Sequence, residues 1–132
     1  MNKNMVEEYH LIIKNKIIQS RFESALGNIK KLLAYYPNDD LAYYYMGVCL
    51  FAQERYDDSI NFYKTALKIN PANPRAYFNL GICYYLANHY DAALINIGKA
   101  LIIFSKMKEL DSKKRCLDAL NFIEIQRGSY NE

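Results

Sequence analysis

The chain has 132 residues, 52% of them apolar, with 17 basic and 14 acidic side chains and a net charge of +3. That composition excludes overall disorder, and the excess charge is too small and dispersed to indicate nucleic-acid binding. Only 5 glycines and 3 prolines stand against 13 tyrosines and 6 phenylalanines, with no tryptophan, which points away from turn-rich β architecture and toward long helices.

Near the N-terminus the apolar triplet Leu11-Ile12-Ile13 is interrupted by Lys14 and Lys16, and no small-residue cleavage site follows, so no targeting segment is visible. The uncharged run Leu41 to Gln53 is shorter than the roughly 20 residues of a spanning helix. Cys49, Cys83 and Cys116 are odd in number, widely spaced, and without a CxxC or a histidine at ligand spacing. Neither a disulfide framework nor a metal site is expected, and a reducing, cytoplasmic setting fits best.

Following the chain from Val6, a 34-residue period emerges. Ala42-Tyr43, Gly47 and Cys49 recur as Ala76-Tyr77, Gly81 and Cys83. Tyr56-Asp57 recurs as Tyr90-Asp91, and Ala66-Leu67 as Ala100-Leu101. Backwards, the same register pairs Tyr9 with Tyr43, Phe22 with Tyr56, and Pro37 with Pro71. Three copies result: 6–39, 40–73 and 74–107.

A 34-residue period carrying Tyr43, Met46-Gly47, Leu50, Tyr56, Ser59, Tyr63, Ala66 and Pro71 resembles the tetratricopeptide repeat, one antiparallel helix pair per copy. The third copy keeps the pattern but has Ser105 where proline is usual, and the first departs at Ile13, Lys16 and Leu32. The resemblance implies an all-α, right-handed helical solenoid of three antiparallel helix pairs with a C-terminal capping helix, in one domain over 1–132. Small residues support it independently: Gly47, Ser59 and Ala66, then Gly81, Ala93 and Ala100, stand where paired helices must approach closely. In the first copy Ile13 and Leu32 occupy two of those places, so that pair should be more open. Asn73-Pro74 reads as an N-cap and first helical residue, and Pro37 and Pro71 as helix stops.

Beyond residue 107 the period fails. Residues 108–127 read as a capping helix with Leu110, Leu117, Leu120 and Ile123 on roughly one stripe, expected to cover Ile95 and Ile102. Residues 128–132 read as a frayed tail.

Catalysis has little to stand on. His10 and His89 lie in different repeats, and no nucleophile elbow, phosphate loop, HExxH or paired-carboxylate arrangement occurs. No catalytic residue, metal or cofactor is expected. What remains is surface. The family resemblance implies that first helices line a concave groove through their second, fifth, ninth, twelfth and thirteenth repeat positions. These fall on Glu7, His10, Lys14, Ile17 and Ile18, then Leu41, Tyr44, Val48, Phe51 and Ala52, then Arg75, Phe78, Ile82, Tyr85 and Leu86.

The expected site is therefore Tyr44, Val48, Phe51, Phe78, Ile82 and Tyr85, with Lys14 and Arg75 as polar steering. Some tetratricopeptide domains clamp a partner's C-terminal carboxylate through Lys, Asn and Arg at the fifth and ninth positions. Here only Lys14 among those positions fits, so such a clamp is contraindicated.

The expected function is non-enzymatic protein–protein interaction, an adaptor, scaffold or chaperone-like module holding a helix or extended apolar peptide. A self-assembling structural subunit using the same surface is the rival, making a homo-oligomer possible. The groove is also similar in chemistry to that of small three-repeat chaperones of type III secretion translocators, which tend to be acidic and longer. Neither nucleic-acid binding nor membrane insertion is expected. A basic cluster, Lys106, Lys108, Lys113, Lys114 and Arg115, reads first as a solvated face. If it bound an acidic partner, moderate salt would release that partner.

Overall fold

The computed structural model describes residues 1–131, with side chains through Ser129. Seven helices run in order: α1 (Lys3–Ile18), α2 (Phe22–Tyr35), α3 (Asp40–Ala52), α4 (Tyr56–Ile69), α5 (Pro74–Leu86), α6 (Tyr90–Lys106) and α7 (Leu110–Asn131). They form two compact units, Met1–Pro71 and the remainder from Ala72.

Each first helix is started by a side chain. The carboxylate of Asp39 accepts from the Ala42 amide at 2.8 Å, and Asn73 does the same for Ala76 at 3.2 Å with Pro74 at the first helical position. Each first helix also ends alike. Ser20, Glu54 and Asn88, 34 residues apart, adopt φ of 58°, 61° and 64°. The amide after each donates to the carbonyl five residues back: Arg21 to Lys16, Arg55 to Leu50, His89 to Tyr84, at 2.8 to 2.9 Å. This is the left-handed stop that closes helix C-termini. The sequence period is thus a backbone period.

Second helices stop for a different reason. A residue before proline is driven out of the helical region, so α2 ends at Tyr35 ahead of Tyr36-Pro37 and α4 at Ile69 ahead of Asn70-Pro71. Ser105 exerts no such block. The helix α6 runs 17 residues against 14 for α4, and ends instead on Lys108 at φ 59°.

In the first unit Ile13, Ala25, Ile29, Leu32, Ala42 and Cys49 are fully buried. With Ile13 and Leu32 filling the contact, α1 and α2 approach one another less extensively than α3 and α4. The expected looser first pair is what folds. In the second and third pairs the small residues do close the gap: the Ser59 hydroxyl donates to the Gly47 carbonyl at 2.7 Å. A Cβ on Gly47 would lie 2.7 Å from the Tyr63 ring, and one on Gly81 2.5 Å from Ile97 Cγ1.

The C-terminal helix differs from expectation in three respects. It spans Leu110–Asn131 rather than 108–127, so residues 128–131 are helical and not a frayed tail; Glu132 lies outside the described residues. Its buried residues are Cys116 and Ile123, whereas Leu110 and Leu117 are 74% and 47% exposed. It leaves Ile95 and Ile102 uncovered, at 59% and 56% exposure. The cause is helical geometry. Ala93, Ile97 and Ala100 form the core side of α6 with α7 against them, and residues 95 and 102 fall about 180° away at ~100° per residue.

All three cysteines are buried, and none is in a disulfide. Burial pushes the Cys49 thiol up to about 11, with the Glu23 carboxylate adding to the effect, and raises Cys116 as well. Among the described residues no helix is long and apolar enough to cross a membrane.

Candidate peptide-binding surface

The six apolar residues expected in the groove are all half-buried. Each unit holds one trio. In the first, Tyr44 packs its ring 5.4 Å from Tyr45 and 5.9 Å from buried Tyr63, while Phe51 sits edge-on to Tyr56 at 5.4 Å. In the second, Phe78, Ile82 and Tyr85 back onto the core formed by α6 and α7, and Tyr85 lies 5.8 Å from Tyr90. The pairs Phe51–Tyr56 and Tyr85–Tyr90 are the same contact one period apart. Each aromatic at the twelfth repeat position therefore rests on the aromatic that begins its second helix, which holds the ring in one orientation.

Exposure is lower than a bare apolar trough implies. The larger exposed apolar side chains near the expected positions are Ile18 at 70% and Leu86 at 44%. Lys14 is exposed, as expected of a steering charge. Arg75 is exposed and also engaged: its guanidinium lies 3.2 Å from the Glu109 carboxylate and 5.6 Å over the Phe104 ring. It ties the start of α5 to the α6–α7 turn. His10 likewise is engaged, its Nε2 2.8 Å from the Asp39 carboxylate that also caps α3.

One residue of this surface was missed. Phe122 of α7, half exposed, places its ring 5.7 Å from Tyr85. Counting from each helix start, Phe122 is the thirteenth residue of α7 as Leu86 is of α5. The extension of α6 shifts α7 out of the 34-residue register, and that shift conceals the equivalence. Aligning helix starts instead of periods is the signal that finds it. Among the described residues no cluster of three or more His, Cys, Asp or Glu is placed to hold a metal.

Residues 49–88 match the family model described as TPR repeat. No curated protein matches the chain. Among solved structures, the type III secretion translocator chaperone SycD of Yersinia enterocolitica superposes with a TM-score of 0.85 at 19% identity, covering 97% of this chain and 89% of that one. PcrH of Pseudomonas aeruginosa gives 0.83 at 15% identity over 94% and 95% of the two chains. The TPR2B domain of yeast Sti1, solved as a pHsp70 complex, gives 0.82 at 18% identity over 92% and 97%. At these identities the likeness is one of fold. The fold is all-α, with helix pairs arranged as in tetratricopeptide domains and followed by a C-terminal helix.

Proposed function

We propose that this protein is a non-enzymatic, chaperone-like binding module. Each unit presents one apolar trio to an extended apolar segment or helix of another protein: Tyr44, Val48 and Phe51 in the first, Phe78, Ile82 and Tyr85 in the second. Lys14 supplies the polar edge, and Phe122 adds to the second set. The observation carrying this reading is the repetition of braced aromatics: Phe51 on Tyr56 and Tyr85 on Tyr90. Rings held in place lose little entropy on contact, which is what an aromatic anchor needs.

Translocator chaperones become the favoured subclass on two grounds. SycD has been solved with a peptide of the translocator YopD, and PcrH with the chaperone binding region of PopD. The fifth and ninth repeat positions here hold Tyr44, Val48, Phe78 and Ile82, where carboxylate-clamp domains need cations. The preferred ligand is thus an internal apolar stretch and not a free C-terminus.

Burial of roughly 500 Å² of apolar surface at ~25 cal/mol per Å² gives about 12 kcal/mol gross, and association costs of ~4–15 kcal/mol offset most of it. Micromolar affinity is expected. In fluorescence anisotropy with an array of apolar peptides, binding should survive C-terminal amidation and fall at least tenfold in Val48→Lys. Binding lost on amidation would instead indicate a carboxylate clamp.

A further inference from the structure

Over the whole chain the net charge of +3 reads as dispersed; segment by segment it does not. Residues 106–115 hold five basic and two acidic side chains, out of 17 and 14, which leaves 12 of each in the rest of the chain. The entire excess therefore sits at the turn between α6 and α7. Lys106, Lys108, Lys114 and Arg115 are exposed and Lys113 is half-buried. Among the described residues none of these five is in an ion pair. Elsewhere Lys31 and Lys99 lie over tyrosine rings, and Arg127 holds two carboxylates. Of the two acids in the segment, Asp111 is exposed and Glu109 is already engaged, accepting from the Arg75 guanidinium at 3.2 Å and the Ser112 hydroxyl at 3.1 Å.

Set among these cations are two apolar side chains, Met107 at 48% exposure and Leu110 at 74%. Leu110 is the most exposed large apolar side chain among the described residues. Lys113 and Lys114 follow it by three and four residues, which at ~100° per residue sets one on either side of it, one turn along α7. Lys106 and Lys108 flank Met107 in the chain. The turn that carries them is fixed by its backbone. Lys108 adopts φ 59°, and the amides of Met107, Lys108 and Glu109 donate to the carbonyls of Ile103, Ser105 and Phe104. Little backbone ordering is left for contact to require.

We propose that the α6–α7 turn docks the protein peripherally on an anionic lipid surface, with Met107 and Leu110 seated at the headgroup level and the surrounding cations on lipid phosphates. A nucleic acid or other acidic polymer would engage the cations but leave the two apolar side chains in water. A bilayer interface takes up both at once. Apolar tips ringed by unpaired cations suit a fluid surface, which needs no matching pocket. Lysine stems lie along the apolar layer while their ammonium groups stay among the headgroups. Each cation near such a surface raises partition about fivefold, so the contact is reversible and weakens with salt. No residue of this segment is among the proposed peptide contacts, and the two readings fail separately.

The test is flotation with phosphatidylcholine vesicles carrying about 30% phosphatidylglycerol in ~0.1 M salt, which should lift the wild type, whereas vesicles of phosphatidylcholine alone should not. Lys113→Gln/Lys114→Gln should lower the partition coefficient about twentyfold. Lys64→Gln/Lys68→Gln removes the same charge from exposed positions on α4 and should leave it within about twofold. Helical circular dichroism in solution should be unchanged in both. The chain has no tryptophan, so Leu110→Trp is a lone emission reporter. Its maximum should shift to the blue on the anionic vesicles, and that of Ile95→Trp should stay in place. Absence of flotation, equal flotation with neutral vesicles, equal loss in the α4 variant, or full binding by Lys113→Gln/Lys114→Gln would each overturn the proposal. So would an unshifted Leu110→Trp on vesicles that bind, because a contact through charge alone is what an acidic polymer such as RNA makes.

Discussion

Glycines in the helices divide by what surrounds them. Gly27 and Gly98 have nothing within 4 Å of a built Cβ, whereas Gly47 and Gly81 face Tyr63 and Ile97. Alanine is favoured over glycine in a helix interior by ~1 kcal/mol, and overpacking costs ~1–3 kcal/mol. Gly27→Ala and Gly98→Ala should therefore stabilise by about 0.5–1 kcal/mol, and Gly47→Ala and Gly81→Ala should destabilise by ~1–2 kcal/mol, read from urea midpoints. Stabilisation at Gly81 would show that Ile97 gives way freely. The left-handed stops make the converse case. Glu54 carries a Cβ where glycine is at ease, so Glu54→Gly should stabilise by ~1 kcal/mol. The buried thiols set an alkaline limit. The Cys49 thiol rises from 9.0 to about 11, so folding holds it neutral where the unfolded chain releases its proton. Its contribution is complete below pH 9 and is lost as the pH climbs toward 11. Cys49→Ala should flatten the stability loss across that window; an unchanged slope would assign the loss to other groups.

Among the elements, what could be read from sequence depended on whether the signal was local. The cap at Asn73, the proline stops and the small residues at helix crossings are each written in one or two adjacent side chains, and all were legible. The left-handed residues were not, because only Asn88 has the chemistry that marks such a position; Ser20 and Glu54 are held there by the five-back hydrogen bond. The register of α7 was illegible for a related reason. One absent proline at 105 lengthens α6, and everything after it is displaced from the period. Reading the stripe through Leu110 and Leu117 then chose the wrong face. Ser105→Pro tests this directly. It removes the amide of residue 105 from the last turn and clashes with the preceding carbonyl, costing about 3 kcal/mol in a helix interior. The helix end and the Arg75–Glu109 tie should be disturbed together, giving a lower melting temperature. An unaltered melt would mean that α6 ends early without loss.

At the scale of the molecule, tyrosine abundance separates into architecture and surface. Tyr63 is buried, Tyr56 and Tyr90 brace the twelfth-position rings, and Tyr36 donates to the Met1 carbonyl. Tyr44 and Tyr85 are left to the proposed surface, each half-buried and packed on other rings. The repeat, its fold and these positions were legible because they recur every 34 residues. The tie from Arg75 to Glu109 was not legible because Glu109 lies outside the repeated pattern. Phe78 backs the core of its unit, so truncating it lowers stability as well as binding; Val48→Lys, which can extend its stem along the surface, avoids a cavity.

The most direct test is the affinity of an apolar peptide ligand selected on the wild type, measured for Tyr44→Ala/Phe78→Ala and for Val48→Lys, with helical circular dichroism recorded alongside. The account predicts at least a tenfold loss in both variants with helical content retained. Wild-type affinity in both would contradict it.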